Sequence, residues 1–310
     1  ATATEAASSL FFALSAAGAS DQADAVVDSF AQANPDANIV TELRFRRAEA
    51  AYQSGDRDEA LRLFRRFTRQ SSDERLLPRA YYFLGVIYAD REEYSEAETY
   101  LRQLVDNYPD SDRRPEAALR LGDITLEQNQ DEAALDAYQT AAESDRIGAE
   151  LQAQARYGQS LALTNLGRMS EAEDLLRRII DNNRGGPLLA SARLGLARIY
   201  EERGEPTQAL GLYRQVAESA QSEAGAESLY RLGRLLRQQG RPSDAVRELD
   251  RMPSLFAGYP EWIARSLLEQ ARAHRQIGQT GEANQLYDQV QREYSGTPFA
   301  QTARQEQEAL

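Results

Sequence analysis

The sequence of 310 residues contains no cysteine and no lysine, and it has a single histidine. Without cysteine there can be no disulfide framework, no thiolate zinc site and no cysteine nucleophile. Without lysine there can be no Schiff base and no phosphate-binding loop of the lysine type. A single histidine also excludes a metal site built from paired histidines. These absences remove whole classes of chemistry.

Positive charge is scarce as well, because 36 basic residues, all arginine, stand against 49 acidic ones, for a net charge of −13. A general nucleic-acid binder would carry a basic surplus, so none is expected here. The longest apolar run near the N-terminus, Leu10–Leu14, is too short to insert into a membrane. The chain begins with Ala1, and we expect any signal peptide or lipid anchor to precede it. The apolar fraction of 42% is enough to build a core.

An alanine recurs within a helical pattern every 36 to 38 residues. The eight positions are Ala23, Ala60, Ala97, Ala134, Ala172, Ala209, Ala245 and Ala283. The residues five positions before them are Gly18, Gly55, Glu92, Asn129, Gly167, Gly204, Gly240 and Gly278. A large apolar residue stands four positions after each alanine. Because glycine adopts the left-handed conformation that ends a helix, the pattern predicts two antiparallel helices per unit, which cross closely at the alanine.

One unit carries the clearest family signature. It reads Tyr81-Tyr82-Phe83-Leu84-Gly85-Val86-Ile87-Tyr88, followed by Tyr94, Ala97, Leu101, Leu104 and Pro109. This pattern resembles the consensus of tetratricopeptide repeat (TPR) proteins. The resemblance implies an all-α, right-handed superhelical solenoid of about eight helix-turn-helix units with a C-terminal capping helix.

The predicted units follow the alanine spacing. They span 4–40, 41–77, 78–114, 115–152, 153–189, 190–225, 226–263 and 264–297, with the cap at 298–310. The prolines at 78, 115, 187, 206, 242 and 298 are expected in first helical turns, and those at 35 and 109 after helix ends. The whole chain, 1–310, is therefore expected to form one solenoid rather than two globular domains.

The long repeats and joints such as Asn107-Tyr108-Pro109-Asp110-Ser111 are similar to those of bacterial cell-envelope TPR proteins, such as the BamD-type assembly lipoprotein and the Tol–Pal coordinator. This similarity favours a periplasmic or outer-membrane-associated protein over a cytoplasmic one. Eight units exceed what we expect of either relative, so no residue-level function is carried over from them.

Catalytic and metal-binding motifs are incomplete. The sequence Gly158-Gln159-Ser160-Leu161-Ala162 lacks the second glycine of a nucleophile elbow, and the segment 106–112 lacks the glycine and the terminal glutamate of a calcium loop. His274 is predicted to pack between helices, with a pH sensor or ligand as the alternative. Trp262 is predicted to pack in the core or a loop, with a binding anchor as the alternative. We therefore expect no enzyme, no cofactor and no metal.

The TPR resemblance implies that positions 2, 5, 9 and 12 of each first helix line a concave groove, with Gly85 at position 8. In the N-terminal half these positions include the aromatic residues Phe45, Tyr52, Tyr82 and Tyr157. In the C-terminal half they include Arg198, Tyr230, Arg234, Arg237, Arg265, Arg272 and Arg275. Guanidinium groups bind carboxylates bidentately. We therefore predict that the groove binds an acidic segment or a C-terminal carboxylate of a partner, while its aromatic residues take apolar side chains.

An alternative stays open for these arginines, which is that they pair with neighbouring glutamates on helix faces. For the chain as a whole, the sequence favours a non-enzymatic scaffold that binds a protein or peptide in its groove, with a role in bacterial envelope assembly as the more specific version. The alternative is a structural solenoid that self-assembles through its edges or ends. An enzyme is disfavoured because no nucleophile, base and metal set is clustered in the sequence.

Overall fold

The computed structural model describes residues 3–34, 38–182 and 185–309. Within these ranges all regular structure is helical, in eighteen helices without a strand, so the all-α fold class is confirmed. The chain divides into two compact units, Ala1–Leu166 and Gly167–Leu310, called unit 1 and unit 2 below. That a single solenoid runs through all 310 residues stays a prediction.

Unit 1 consists of successive antiparallel helix pairs. Its helices are α1 (Ala3–Ala16), α2 (Ser20–Ala33), α3 (Asn38–Gln53), α4 (Arg57–Gln70), α5 (Leu77–Asp90), α6 (Tyr94–Asn107), α7 (Arg114–Glu127), α8 (Asp131–Ala142) and α9 (Ala149–Asn165). The first helix of a repeat packs on its own second helix and on the first helix of the next repeat, as α5 packs on α6 and α7. This is the nearest-neighbour packing of a helical repeat array.

Unit 2 continues with the same pairing. Its helices are α10 (Met169–Asn182), α11 (Pro187–Glu202), α12 (Pro206–Ser219), α13 (Glu223–Gln238), α14 (Pro242–Leu249), α15 (Met252–Leu255), α16 (Pro260–Gln276), α17 (Thr280–Glu293) and α18 (Pro298–Glu308). The second helix α14 is short, and a separate turn, α15, follows it. Pro253 lies in that turn, and a proline cannot continue a helix because it lacks the backbone N–H.

The turn residues have the predicted conformation. All eight have positive φ, from 57° at Asn129 and 62° at Glu92 to 86° at Gly55. Six prolines are confirmed in the first turns of α5, α7, α11, α12, α14 and α18, and Pro109 follows the end of α6. The prediction for Pro35 falls outside the described residues.

The recurring alanines are confirmed as core residues, since all eight are fully buried, together with the large residue four positions later. A glycine of the first helix lies against that large side chain. A Cβ atom at Gly85 would lie 2.5 Å from Leu101, and one at Gly158 would lie 2.4 Å from the Tyr138 ring. The small residues are therefore required by close contact between helices.

The core of unit 1 is rich in stacked aromatic rings. The rings of Phe64 and Phe83 lie 4.9 Å apart and nearly parallel, and those of Tyr88 and Tyr100 are stacked at 5.5 Å. The Phe45 ring packs edge-on against the Phe64 ring, with the ring centres 5.7 Å apart. Ring pairs of this kind add about 0.5–1.5 kcal/mol each beyond the area that they bury.

Candidate functional site

The first helices of unit 2 are joined by ion pairs. Arg198 on α11 donates to Glu227 on α13 at 3.0 Å through Nε, and Arg231 donates to the same carboxylate at 2.5 Å. Arg234 and Arg231 both reach back to Glu201 on α11. Adjacent repeats are thus connected by shared carboxylates. We call the following residues the arginine–glutamate network: Arg198, Glu201, Glu227, Arg231, Arg234, Arg237, Glu269, Arg272 and Glu306.

The network continues from α13 through α16 to α18. The fully buried Glu269 accepts from Arg237 at 2.5 Å and from Arg272 at 2.9 Å. Arg272 also pairs with Glu306 at 2.6 Å. Its hydrogen bonds to Glu306 and Glu269 raise the pKa of its guanidinium above the ordinary value. The Tyr287 hydroxyl donates to Glu306, and burial beside that carboxylate raises the pKa of Tyr287 to about 12.

Burial and hydrogen-bonding partners act in opposite directions on the pKa values of two carboxylates in the network. Burial by itself raises the pKa of Glu201, but hydrogen bonds from Tyr213 and Arg234 outweigh burial and hold the pKa below its ordinary value. The pKa of Glu227 is lowered in the same way, against burial, chiefly by the hydrogen bond from Arg198. A buried carboxylate that stays charged needs such partners, because an unpaired charge is expensive to bury.

This network bears directly on the arginines that the sequence assigned to the groove. Five of the six have a carboxylate partner within 4 Å: Arg198, Arg234, Arg237, Arg265 and Arg272. The alternative of pairing with neighbouring glutamates is therefore present in the structure. Arg275 instead donates to the Ala309 carbonyl at 3.2 Å and has no carboxylate within 4 Å among the described residues. The partner of Arg265 is the well-exposed Glu261, on its own helix.

A row of half-buried aromatic side chains runs beside the network, across α13, α16 and α18. The Tyr230 and Trp262 rings lie 5.7 Å apart. The Arg265 guanidinium lies over Trp262 at 5.2 Å and over Phe299 at 5.6 Å. We call Tyr230, Trp262, Arg265 and Phe299 the aromatic row. Trp262 is half-buried on α16 and contacts Tyr230 and Arg265, so it lies neither in the buried core nor in a loop, in contrast to the prediction.

The first helices of unit 1 present a different face, and one prediction there is wrong. Phe45 is fully buried among Phe64, Phe67 and Phe83, so its ring cannot contact a partner. The position is apolar because it belongs to the core. Tyr52 is half-buried, and the Arg57 guanidinium lies 3.8 Å from the centre of its ring.

Tyr82 and Tyr157 are partly exposed on α5 and α9. The Arg113 guanidinium lies over the Tyr82 ring at 5.3 Å and pairs with Glu116. A cleft of ≈ 790 Å³ opens beside these residues, where three successive inter-repeat joints meet. Its lining includes four arginines, at positions 75, 79, 113 and 146, and four acidic residues, at positions 74, 110, 112 and 116. The balanced charges give this cleft no strong preference for a ligand of one sign.

A tyrosine–carboxylate pair lies at the edge of the core of unit 1, with the Tyr138 ring buried and Asp123 exposed. The Tyr138 hydroxyl donates to Asp123 at 2.9 Å. Partial desolvation raises the pKa of Asp123, although the hydrogen bond from Tyr138 opposes that shift. Asp123 has no arginine within 4 Å among the described residues, so its environment differs from that of Glu201, which also accepts from a tyrosine.

The remaining candidate residues have local roles. Nδ1 of His274, which is partly buried, lies 2.6 Å from Oε1 of Gln279 across the helix turn. Asp110 and Asp112 are fully exposed and lie 4.0 and 3.9 Å from Arg146. Within the described ranges, no three His, Cys, Asp or Glu side chains are grouped so as to hold a metal ion. No described helix combines the length and apolarity that crossing a bilayer requires.

Sequence models of the tetratricopeptide repeat match residues 45–112, 119–187, 194–260 and 265–297. These segments cover more than half of the chain. The chain belongs to the tetratricopeptide repeat family. Its TPR units mark it as a scaffold for protein–protein interaction. No curated protein is significantly similar to it in sequence.

Solved structures show the same TPR fold at low sequence identity. A C-terminal part of a TPR protein from Cytophaga hutchinsonii has a TM-score of 0.64 at 15% identity, covering 84% of this chain and 98% of that one. PilF from Pseudomonas aeruginosa has a TM-score of 0.56 at 21% identity, covering 74% and 97%. BtubC from P. vanneervenii has a TM-score of 0.54 at 17% identity, covering 65% and 88%. At these identities the similarity concerns the TPR fold alone.

Sequence reasoning missed two parts of the TPR face. The glutamates of the network were not individually assigned as partners, although residues 272 and 306, like 275 and 309, are 34 apart and occupy equivalent positions of successive first helices. Phe299 was missed because it lies in the predicted cap, yet it also follows Arg265 by 34 residues. Extending the groove positions into the cap would have found it.

Proposed function

We propose that this TPR protein is a non-enzymatic scaffold whose aromatic row binds an extended segment of a partner protein. The observation that carries the proposal is the row itself, in which Tyr230, Trp262 and Phe299 lie partly exposed on three successive first helices, with Arg265 between two of the rings. Aromatic side chains and arginine are the residue types most enriched where binding energy concentrates.

The chemistry of the row suits a peptide with an apolar or aromatic side chain next to a carboxylate. The rings offer faces for the apolar group, and Arg265 offers a planar fork to the carboxylate. Arg275, whose hydrogen bond is to a carbonyl, offers a second cation on the same helix. The other predicted groove arginines, at positions 198, 234, 237 and 272, support the row by fixing the spacing of the helices. In unit 1, we propose that the partly exposed Tyr52, Tyr82 and Tyr157 bind apolar side chains of the partner.

Trp262 is the only tryptophan of the chain, so its fluorescence reports on the row directly. The probe is a ten-residue peptide that alternates leucine with aspartate and ends in a free carboxylate. We expect a saturable shift of the emission, weakened about tenfold or more when asparagine replaces aspartate or when Arg265→Glu is introduced.

The matched control is Arg304→Glu, an exposed arginine on α18 outside the row, which should leave binding unchanged. Charge reversal at Arg234 or Arg272 is a poor test, because it would break pairs with the partly buried Glu201 or the fully buried Glu269 and disturb the fold. Equal binding of the aspartate and asparagine peptides, or no binding of either, would contradict the proposal.

The finer proposal is that the protein works in the bacterial envelope, in assembly or at the outer membrane. It is supported by the similarity of its long repeats and joints to those of envelope TPR proteins. Fractionation of cells that make the full-length protein tests it, and recovery in the cytoplasm would overturn it.

A further inference from the structure

The second helices of unit 1 differ sharply in charge. Helix α4 has five arginines and two acidic residues, a net charge of +3, whereas α2 and α8 each carry −3 and α6 carries −2. Every other second helix of the chain is neutral or negative. One basic helix in a chain of net charge −13 therefore needs a separate explanation.

The basic charges of α4 lie together on its exposed face. Arg62, Arg65, Arg66 and Arg69 are exposed, and they line a hollow of ≈ 480 Å³. Arg62 pairs with Glu59 on its own helix, and Arg66 lies 3.5 Å from Asp28. For Arg65 and Arg69, no carboxylate lies within 4 Å in the described ranges. Half of this basic face is thus left without an acidic partner among the described residues.

The complementary surface is on α8. Residues 121–145 contain seven acidic residues and no arginine. Glu132 and Asp136 are exposed one turn apart on α8, and neither has an ion-pair partner among the described residues. Acidic α8 and basic α4 cannot meet within one molecule, because α5, α6 and α7 lie between them in the packing order.

The helix between them is suited to a twofold axis. The exposed residues Ser95, Thr99 and Gln103 of α6 are spaced by four and form a narrow uncharged strip, with the exposed Glu96 and Asp106 beside it. A second copy can be turned by 180° about an axis that runs along this strip, so that its repeats stack in the opposite order. Each α4 then lies against the partner's α8, and α6 lies against α6. Such an isologous contact satisfies both charged surfaces at once.

We propose that two copies of this chain associate through α4, α6 and α8. Helices of twelve to fourteen residues are about 20 Å long, so three of them side by side offer about 600 Å² per copy. That area lies at the lower end of stable interfaces, so the dimer is weak and depends on charge. It uses a surface separate from the aromatic row, so either proposal can fail without the other.

Sedimentation of the whole chain over a concentration series tests the contact. At about 20 mM salt we expect a reversible dimer of twice the 34.6 kDa chain mass, and at about 500 mM salt a monomer, because screening shortens the reach of exposed charges. The variant Arg65→Glu/Arg69→Glu and the variant Glu132→Arg/Asp136→Arg should each be monomeric, with dissociation raised about 100-fold or more.

Mixing these two charge-reversed variants supplies the decisive result. Each reversed surface then faces an opposite charge on the other variant, so a heterodimer should form at low salt. The control Arg178→Glu/Arg292→Glu changes the net charge by the same amount as Arg65→Glu/Arg69→Glu, but at exposed sites of unit 2. It should dimerise like the parent chain. A monomer under all conditions, a mixture that stays monomeric, an open-ended polymer, or a control that dissociates like the α4 variant would each overturn the proposal.

Discussion

The two units form the same repeat but differ in net charge and in the contacts that hold their helices together. Unit 1 has 17 arginines and 29 acidic residues, a net charge of −12, whereas unit 2 has 19 and 20, a net charge of −1. The core of unit 1 is packed with stacked phenylalanine and tyrosine rings. In unit 2 the arginine–glutamate network connects one first helix to the next.

The difference shows that the TPR backbone tolerates two ways of stabilising the contacts between neighbouring helices. Ring packing draws its stability from buried area and is insensitive to charge state. A partly buried ion-pair network must keep every carboxylate ionised and every partner in place, because removal of one member leaves the others uncompensated. The two units should therefore respond differently to mutation and to acid.

The largest effect is expected from Glu269→Gln in unit 2. Glu269 is fully buried and shared by Arg237 and Arg272, so neutralising it leaves two guanidinium groups short of a partner. We expect a loss of about 3 kcal/mol in the free energy of local unfolding. Amide hydrogen exchange of α13 and α16 in the whole chain measures it.

The control for this variant is Glu261→Gln, because that side chain is 61% exposed and, among the described residues, forms an ion pair only with Arg265. It should change the same free energy by less than about 0.5 kcal/mol. Equal effects of the two substitutions would show that the network stabilises no better than surface pairs, and the contrast between the units would fail.

The next largest difference between the units is expected in how their stability responds to acid. The pKa values of Glu201, Glu227 and Glu306 are lowered, so these groups contribute stability above their ordinary range near 4.5, and the contribution is lost as pH falls through their folded-state values. The pKa of Asp123 in unit 1 is shifted in the opposite direction. Partial desolvation raises its pKa, so its contribution to stability is not lost as pH falls.

Below about pH 4.5, hydrogen exchange should therefore quicken in α11, α13 and α16 before it does in α7 and α8. Glu59 and Asp73 in unit 1 also have lowered pKa values, so α4 and the turn before α5 are excluded from the comparison. Simultaneous loss of protection in both sets of helices would contradict the assignment.

The smallest expected effect concerns the left-handed residues in the turns between paired helices. Unit 1 has Glu92 and Asn129 in the left-handed conformation, where unit 2 has only glycine at the equivalent positions. Glu92→Gly should raise stability by about 1 kcal/mol, and Asn129→Gly by a few tenths, because asparagine tolerates this conformation better than glutamate does. Thermal unfolding measures both, and destabilisation by Glu92→Gly would show that its side chain makes a compensating contact.

Much of the fold could be predicted from the sequence because each TPR unit is specified locally. The spacing of Ala97 after Glu92, and of Leu101 after Ala97, gives the turn, the close crossing and the core position without reference to distant residues. The functional face was predicted less well. Phe45 has the periodicity of a groove position but is buried, because bulky neighbours from α4 and α5 cover it.

By itself, the sequence determined the TPR family, the helix pairs, the left-handed turns and the absence of cysteine and lysine chemistry, because these follow from residue type and short-range periodicity. Only the tertiary structure decided which charges are satisfied. Arg237 and Glu269 are 32 residues apart, and whether a guanidinium meets a buried carboxylate or remains open to a partner depends on how neighbouring helices pack. Net charge alone could not separate the paired arginines of unit 2 from Arg65 and Arg69 on α4, which have no acidic partner among the described residues.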